Sequence, residues 1–259
     1  MTADAQKAFV EKYQNALPVA NVTVADKVLK YAIPNSMCLW RVQTLTTKEP
    51  DTVTWLNSIP RGAVLLDVGA NVGLYSVYAA GIRGAQVFSF EPESQNYAVL
   101  NKNIHLNNLN EQVVAWCIAL SDEQKFDKLF LSDFKQGGSC HTFAESVDPN
   151  LNYRDFPFQQ GAFATSIDKL VASSTIPVPN FIKIDVDGIE HKVIRGAENT
   201  LQNPAVTSLI IEINSNLDEH NWIISFLSSL GFSHDPEQFA HAQRTDGFFK
   251  GTGEYVFRR

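Results

Sequence analysis

From residue 61 onward, short apolar runs alternate with stretches of helical periodicity. Five of these runs are bounded by turn residues and are continuous enough to be buried strands, at 63–68, 86–90, 113–118, 181–185 and 208–213. The periodic stretches between them predict a helix beginning near Leu74 and helices at 94–107, 191–201 and 219–230. Because this alternation is typical of a parallel sheet with crossover helices, the sequence predicts an α/β fold.

Three further segments have their own patterns. Residues 121–161 contain short alternating pieces, which predict an antiparallel excursion with its tip at Gly137 and Gly138. A short helix is expected at 166–171. The last strand, at 253–258, is expected to pair antiparallel with residues near Phe232.

The first 60 residues form a less regular lead-in. They predict a polar helix at the start, extended pieces around 30–33 and at 37–45, and a turn at Pro34 and Asn35. We therefore expect a lead-in or cap segment, 1–60, followed by one main domain, 61–259. The lead-in is expected to form part of an acceptor site or a dimer contact, so a homodimer is one of the expectations.

Composition and charge narrow the classes of function. The 259 residues are 44% hydrophobic, which excludes a disordered or fibrous chain. The net charge of −7 provides no general attraction to nucleic acid or anionic lipid, so neither is an expected partner. The three cysteines are widely spaced and predict neither a disulfide framework nor a zinc site. The chain has no long apolar run and no signal-like start, so we expect it in the cytoplasm.

Candidate binding residues follow the predicted strands, because ligands bind beyond the carboxyl ends of an open parallel sheet. The first strand leads into a glycine-containing turn that lets a backbone approach a ligand closely, with Asp67, Gly69, Asn71 and Gly73. Its glycines stand four residues apart, so the dinucleotide fingerprint G-x-G-x-x-G is missing. An acid beside this turn repels a diphosphate and suits a cationic amine, such as that of S-adenosylmethionine.

Two more strand ends carry polar side chains. Glu91 closes the second strand, where a carboxylate accepts hydrogen bonds from both ribose hydroxyls in dinucleotide and S-adenosylmethionine sites alike. Ser121 and Asp122 follow the third strand and are candidates for contacts to an adenine edge.

Five sequence blocks together resemble the FkbM family of S-adenosylmethionine-dependent methyltransferases. They are KEP at 48–50, DVGANVGLYS at 67–76, FEPE at 90–93 with Asn101, Asn103 and Asn107 behind it, FIKIDVDGIEHKVIRGAENTL at 181–201, and IIEIN at 210–214. The resemblance covers about residues 30–258, with the blocks in the family's order and spacing.

The resemblance implies a class I methyltransferase fold, a Rossmann-like, mostly parallel seven-stranded sheet whose last strand is antiparallel. It also implies S-adenosylmethionine as cofactor. The residues implied to bind it are Asp67, Gly69, Asn71 and Gly73 at the methionine and ribose, Glu91 at the ribose hydroxyls, Ser121 and Asp122 at the adenine, and Asp185 near the transferable methyl. The family pattern Asp-Val-Glu-Gly has the shorter Asp187 at its third position here.

Methyl transfer to a hydroxyl needs an aligned oxygen and a base that removes its proton. Asp185 and Glu212 end adjacent predicted strands, and together with His191 they are the candidate catalytic residues. A version without a metal is preferred. In the alternative, Asp185, Glu212 and Asn214 hold one divalent cation through oxygen.

Several neighbouring residues have two interpretations. Glu190 either belongs to the cleft or pairs with Lys192 or Arg195 on its own helix. His141 is expected on a surface loop or a lid, and Cys140 beside it is expected to point to the opposite face. The aromatic side chains around Pro157 either line an acceptor pocket or anchor a long loop.

These observations favour O-methylation of a hydroxyl on a small molecule, a sugar or a polyketide-like acceptor. Two alternatives stay open at this point: an NAD-dependent oxidoreductase on the same kind of sheet, and a module that binds the cofactor without turnover.

Overall fold

The computed structural model describes the backbone of residues 1–259 and every side chain except those of residues 14 and 15. The strands are β1 Val19–Val24, β2 Lys27–Ala32, β3 Val64–Val68, β4 Gln86–Phe90, β5 Val113–Trp116, β6 Ala119–Leu120, β7 Lys125–Leu131, β8 Thr142–Phe143, β9 Phe158–Thr165, β10 Phe181–Ile184, β11 Ser208–Asn214, β12 Ser233–His234 and β13 Thr252–Arg258.

The helices alternate with these strands along most of the chain. They are α1 Ala3–Asn15, α2 Ser36–Gln43, α3 Pro50–Asn57, α4 Leu74–Tyr78 with the π-helical turn Ala79–Arg83, α5 Ser94–Leu106, α6 Ile167–Ala172, α7 Glu190–Arg195, α8 Glu198–Leu201, α9 Asp218–Ser229 and α10 Pro236–Ala242. None of the helices described is long and apolar enough to cross a membrane.

The central sheet has seven strands in the order β12, β13, β11, β10, β3, β4, β5. The five strands from β11 to β5 run parallel to one another, and β13 pairs antiparallel with both β11 and β12. The sheet is therefore seven-stranded, mostly parallel and Rossmann-like, with the chain's last strand antiparallel, as the resemblance implies. The predicted α/β fold is confirmed.

Burial on both faces explains why the central strands are continuous apolar runs. All four residues of β10 are buried, and β3 is buried at four of its five positions. Two clusters of buried side chains pack on the sheet, one around Trp55 and Leu100 and the other around Ile194 and Leu227. The two polar residues of these strands, Asp67 and Lys183, are paired in register and are both almost fully buried.

The excursion after β5 forms a second, four-stranded sheet, in the order β6, β9, β7, β8. Its long antiparallel pair, β7 with β9, confirms the predicted antiparallel character. The tip at Gly137 and Gly138 folds back onto the central sheet, where the amide of Asn71 donates to the Gly138 carbonyl at 2.7 Å. The excursion therefore covers the turn that follows β3.

The lead-in is more ordered than its sequence pattern indicates. β1 and β2 form a hairpin around the expected extended piece, and Tyr31 and Trp55 are fully buried in the same core cluster as β3. The extended piece predicted at 37–45 is wrong, because this stretch is largely helix α2. Asn35 caps that helix by accepting a hydrogen bond from the N–H of Cys38 at 2.9 Å.

Candidate active site

A cavity of about 450 Å³ opens at the carboxyl ends of β3, β4 and β10, between the central sheet, helix α2 and the excursion. Its volume lies within the range of small-molecule and cofactor sites. The residues that line it on the sheet side come directly after the strands, namely Gly69, Asn71, Glu91, Pro92, Asp185, Val186 and Asp187. The cavity therefore lies beyond the strand ends, where the sequence predicts a ligand site.

The turn after β3 brings backbone close to the cavity. Gly69 has φ +78°, and a Cβ at this position would stand 1.8 Å from the Asp185 carbonyl oxygen, so only glycine fits between the two strand ends. Asn71 adopts φ +50°, a left-handed conformation, and its N–H donates to the Glu91 carboxylate at 2.8 Å. Both residues line the cavity, and their contact with the cofactor stays a prediction.

Glu91 lies in the cavity wall and also holds the turn together. Its carboxylate accepts hydrogen bonds from the N–H groups of Asn71 and Glu93, at 2.8 and 2.9 Å. Burial outweighs these bonds and raises its pKa to about 7. A carboxylate oxygen has two lone pairs, so Glu91 can still accept hydrogen bonds from a bound ribose.

Two residues of the predicted binding turn do not line the cavity. Asp67 is 1% exposed and accepts a hydrogen bond from the Ser76 hydroxyl at 2.5 Å inside the sheet. Burial raises its pKa, against the opposing effect of the Lys183 charge. Gly73 is needed for packing, since a Cβ there would stand 2.2 Å from Leu100 Cδ1. The predicted cofactor contacts of Asp67 and Gly73 are therefore corrected to structural roles.

Ser121 and Asp122 are also displaced from the cavity. The third parallel strand ends at Trp116, and Ala119–Leu120 then joins the second sheet as β6. Ser121 is consequently turned inward, where its hydroxyl donates to Asp122 and its N–H donates to the Thr165 carbonyl. The residues that do line this end of the cavity are the apolar Ile118, Ala119 and Leu120, which correct the predicted adenine contacts.

Three carboxylates meet on the other side of the cavity. Asp185, Asp187 and Glu212 each place an oxygen within 4.8 Å of the others, and we refer to them as the carboxylate cluster. Burial disfavours ionisation of Asp185, but the charges of Lys183 and Lys48 outweigh it and lower its pKa. Burial, with the neighbouring Asp185 charge, raises the pKa of Asp187 to about 7 and that of Glu212 well above its usual value.

The carboxylate cluster supports two kinds of chemistry. A carboxylate with a pKa near the working pH can accept a proton, which suits Asp187 and Glu212. Three carboxylate oxygens at this spacing also suit a hard divalent cation such as Mg²⁺. Asn214, the third ligand expected in that alternative, is instead buried away from the cavity and donates its amide to Asn150 at 2.9 Å.

Glu190 and His191 lie behind the cavity. Glu190 is fully buried, accepts the N–H groups of Val186 and Gly188, and contacts His220 at 3.3 Å, so it pairs with neither basic residue of its own helix. His191 is 6% exposed and packs beside His220. Burial lowers the pKa of His191 to about 4. The prediction of His191 as a catalytic base is therefore corrected, since its ring does not reach the cavity.

The excursion contributes part of the cavity rim. Cys140 and His141 both line the cavity, contrary to the expectation that they face opposite ways. Cys140 has φ +58°, which breaks the strand alternation, and its N–H donates to the Asp187 carboxylate at 2.7 Å. Burial raises the pKa of the Cys140 thiol to about 12, so it is a poor nucleophile. The exposed Tyr153 does not line the cavity.

Residues that the sequence pattern did not assign to a site close the cavity from outside the sheet. Trp40, Arg41 and Lys48 come from helix α2 and the segment after it, and Arg244 and Phe249 come from the segment before β13. The guanidinium of Arg244 bridges Glu212 and Glu254 at 3.2 Å each. The capping residue Asn35 was the one signal for α2, and nothing in the spacing of residues 244–249 marks a site.

Three non-glycine residues with left-handed backbone line this one cavity: Asn71, Cys140 and Asp187, with φ between +50° and +59°. Such conformations cost free energy and occur often at functional sites, where the surrounding structure holds them. In this cavity, hydrogen bonds from the Asn71 N–H to Glu91 and from the Cys140 N–H to Asp187 hold the three residues in these conformations.

Comparison with known proteins identifies the family. Residues 67–233, which include most of the central sheet and the strand ends around the cavity, match the methyltransferase FkbM domain. The chain belongs to the FkbM methyltransferase family. It is therefore an S-adenosylmethionine-dependent methyltransferase, and the expected family and cofactor are confirmed.

Individual relatives of this FkbM-family protein are distant. The hexuronic acid methyltransferase AglP of Haloferax volcanii is 26% identical over 195 residues, which are 75% of this chain and 74% of that protein. The 31-O-demethyl-FK506 methyltransferase FkbM of Streptomyces tacrolimicus is 26% identical, over 74% of this chain and 78% of that protein. Among solved structures, M. jannaschii TYW2 in complex with AdoMet aligns with a TM-score of 0.48 and 11% identity, covering 93% and 86% of the two chains.

The lining of the cavity is compatible with S-adenosylmethionine in charge and polarity. S-adenosylmethionine carries a cationic sulfonium and an ammonium group, and Asp185, whose pKa is lowered by Lys183 and Lys48, supplies negative charge in the carboxylate cluster. The opposite end is apolar, as an adenine ring requires, and Glu91 stands between them. These residues are compatible with a ligand that is cationic at one end and aromatic at the other.

Proposed function

We propose that this FkbM-family methyltransferase transfers a methyl group to a hydroxyl oxygen of a polar small molecule, such as a sugar or a polyketide-like acceptor. The observation that carries the proposal is the carboxylate cluster, whose members Asp187 and Glu212 have raised pKa values and line the cavity. A hydroxyl acceptor needs a base at the site of transfer, and this cluster provides one.

The relatives support oxygen as the acceptor atom. One is named for a hexuronic acid and the other for the 31-O position of demethyl-FK506. The second name states that the methylated position is an oxygen, and the first names a sugar acid. The rim of this cavity suits such a molecule, since Trp40 and Phe249 offer apolar ring faces beside the charged Lys48 and Arg244.

Different residues of this chain have different roles in methyl transfer. S-adenosylmethionine, when bound, supplies an electrophilic methyl on a cationic sulfur. Asp185 stays ionised because Lys183 donates to it at 3.1 Å, so its charge is available to a cationic ligand. The acceptor hydroxyl passes its proton to a carboxylate oxygen of the Asp187 and Glu212 pair. Whichever of the two carboxyl groups is ionised acts as the base.

The proposal predicts a large and selective loss of rate when the base is removed. Glu212→Gln and Asp187→Asn should each lower kcat by about 10²- to 10⁴-fold, the usual contribution of general base catalysis, with little change in affinity for S-adenosylhomocysteine. Release of S-adenosylhomocysteine would be measured over a panel of hydroxylated sugars and macrolides. Glu237→Gln, an exposed position on α10, is the matched control and should retain full activity.

Three outcomes would contradict the proposal. Full activity in the Asp187→Asn and Glu212→Gln double variant would mean that no carboxylate base is used, as for a carboxylate acceptor. Activity that is lost on chelation and restored by Mg²⁺ would assign the carboxylate cluster to a cation. Binding of S-adenosylhomocysteine without transfer to any acceptor would favour a binding module.

A further inference from the structure

Arg41 differs from the other cationic residues that line the cavity. Lys48 pairs with Glu49 at 2.5 Å, and Arg244 bridges two carboxylates. No Asp or Glu side chain of the described residues lies within 4.0 Å of the Arg41 guanidinium. Its Nε donates to the Gly137 carbonyl at 2.7 Å, which leaves the two terminal nitrogens available to a ligand.

Contacts within the protein hold the Arg41 side chain in position. The Gly137 carbonyl that it contacts belongs to the excursion tip, which is itself held by helix α5. Asn96 accepts the Gly137 N–H at 2.7 Å and donates its amide to the Gly138 carbonyl at 3.1 Å. Arg41 is partly buried, so its guanidinium is aimed by this contact rather than free in solvent.

Arg41 lies beside the turn where the amino-acid end of the cofactor is expected. It lines the main cavity and also a small adjoining recess, together with Gly69, Asn71 and Asp185. The guanidinium charge is close enough to contribute to the lowered pKa of Asp185. The recess therefore has a cation and an anion at its boundary, which is the complement of an amino-acid zwitterion.

We propose that Arg41 binds the α-carboxylate of the cofactor's amino-acid group, while Asp185 faces its ammonium. The inference rests on the function proposed above and adds a binding residue from the lead-in, outside the segment 67–233 that matches the family. A guanidinium suits this task because its planar fork matches a carboxylate and its charge is independent of pH. The lead-in is thus part of the cofactor site.

Two ligands that differ by one carboxylate test this assignment. S-adenosylhomocysteine carries the group, and its decarboxylated analogue, 5′-deoxy-5′-(3-aminopropylthio)adenosine, lacks it. In calorimetric titration, Arg41→Gln should weaken S-adenosylhomocysteine binding by about 10- to 100-fold, as expected for a charge-assisted bond, and leave the analogue's affinity unchanged. Arg41→Lys should give an intermediate loss, because it keeps the charge without the fork. Arg61→Gln, at an exposed position away from the cavity, should change neither affinity.

The affinities for the two ligands distinguish a failure of the Arg41 assignment from a failure of the proposed function. Equal loss for both ligands in Arg41→Gln and Arg41→Lys would give Arg41 a structural role and overturn the proposal. Unchanged affinity for both, with a raised KM for a carboxylated acceptor only, would assign Arg41 to the acceptor and also overturn it. A wild-type protein that binds neither ligand would instead contradict the proposed function itself.

Discussion

Two acids at the ends of neighbouring strands show how differently similar residues are used. Asp67 is buried inside the sheet and holds Ser76, whereas Glu91 reaches the cavity and holds the turn of Asn71. Burial raises the pKa of both carboxyl groups, so their pKa values do not show which of them can contact a ligand. The distinction comes from which surface each carboxylate lines, and it leads to opposite expectations for their variants.

Glu91→Gln is expected to weaken S-adenosylhomocysteine binding by roughly 1.5–3 kcal/mol, because a charged acceptor for the ribose hydroxyls is lost. Asp67→Ala is expected to lower the free energy of unfolding by about 1–3 kcal/mol, since the Ser76 hydroxyl loses its buried carboxylate partner. Its effect on binding should be small. Calorimetric titration and urea unfolding of both variants check this pair, and a binding loss larger in Asp67→Ala than in Glu91→Gln would contradict it.

Among the helices and strands, helix α5 holds several neighbouring segments in place through asparagine side chains in it and at its end. Asn107, which caps the carboxyl end of α5, accepts the Lys30 N–H and donates to the Lys30 carbonyl, as a neighbouring strand would. Asn103 links Ala32 of β2 to the Val72 carbonyl. Asn96 holds the excursion tip from the first turn of the same helix. One helix therefore fixes the hairpin, the first turn and the rim of the cavity.

Asn96→Ala should release the excursion tip without unfolding the sheet, because it removes the two hydrogen bonds to Gly137 and Gly138. Hydrogen exchange of residues 132–141 is expected to become faster, and binding of S-adenosylhomocysteine should become weaker. Asn101→Ala, on the exposed side of α5, is the control. Unchanged exchange at the tip in Asn96→Ala would show that other contacts hold it.

The elements also show what the sequence could and could not predict. β3, β4, β10 and β11 were predictable because burial on both faces requires continuous apolar runs. Helix α2 was not, since Met37 to Leu45 has no clear helical period and only the Asn35 cap marks its start. Asp185, Glu212 and Glu91 were found because strand ends of a parallel sheet meet at one edge. Arg41 and Arg244 were missed because their positions depend on how flanking segments pack against that edge.

At the scale of the whole molecule, buried acids make stability depend on pH. Burial raises the pKa to about 7 for Glu91, Asp187, Glu190 and Glu254. The folded protein therefore holds more protons than the unfolded chain between about pH 4.5 and 7, and it loses this stabilisation as pH rises. Three histidines with lowered pKa values act in the opposite direction below about pH 6.5, namely His141, His191 and His220.

The net result should be a fall in the free energy of unfolding as pH rises from about 6 to 7.5, where the histidines contribute least and the acids lose their protons. Glu254→Gln should reduce this slope by removing one of the shifted carboxyls. Urea unfolding of both proteins at several pH values between about 6 and 7.5 measures this slope. Stability that rises over the same window, or an unchanged slope in the variant, would contradict the assignment of protonated acids to the folded state.

The cavity at the strand ends is expected to hold S-adenosylmethionine rather than a dinucleotide. Parallel calorimetric titrations of the wild-type protein with S-adenosylhomocysteine and with NAD test it most directly. We predict micromolar binding of S-adenosylhomocysteine with one site per chain, weakened in Glu91→Gln, and no binding of NAD. Binding of NAD alone, or S-adenosylhomocysteine binding that is unaffected by Glu91→Gln, would contradict the assignment of this cavity to S-adenosylmethionine.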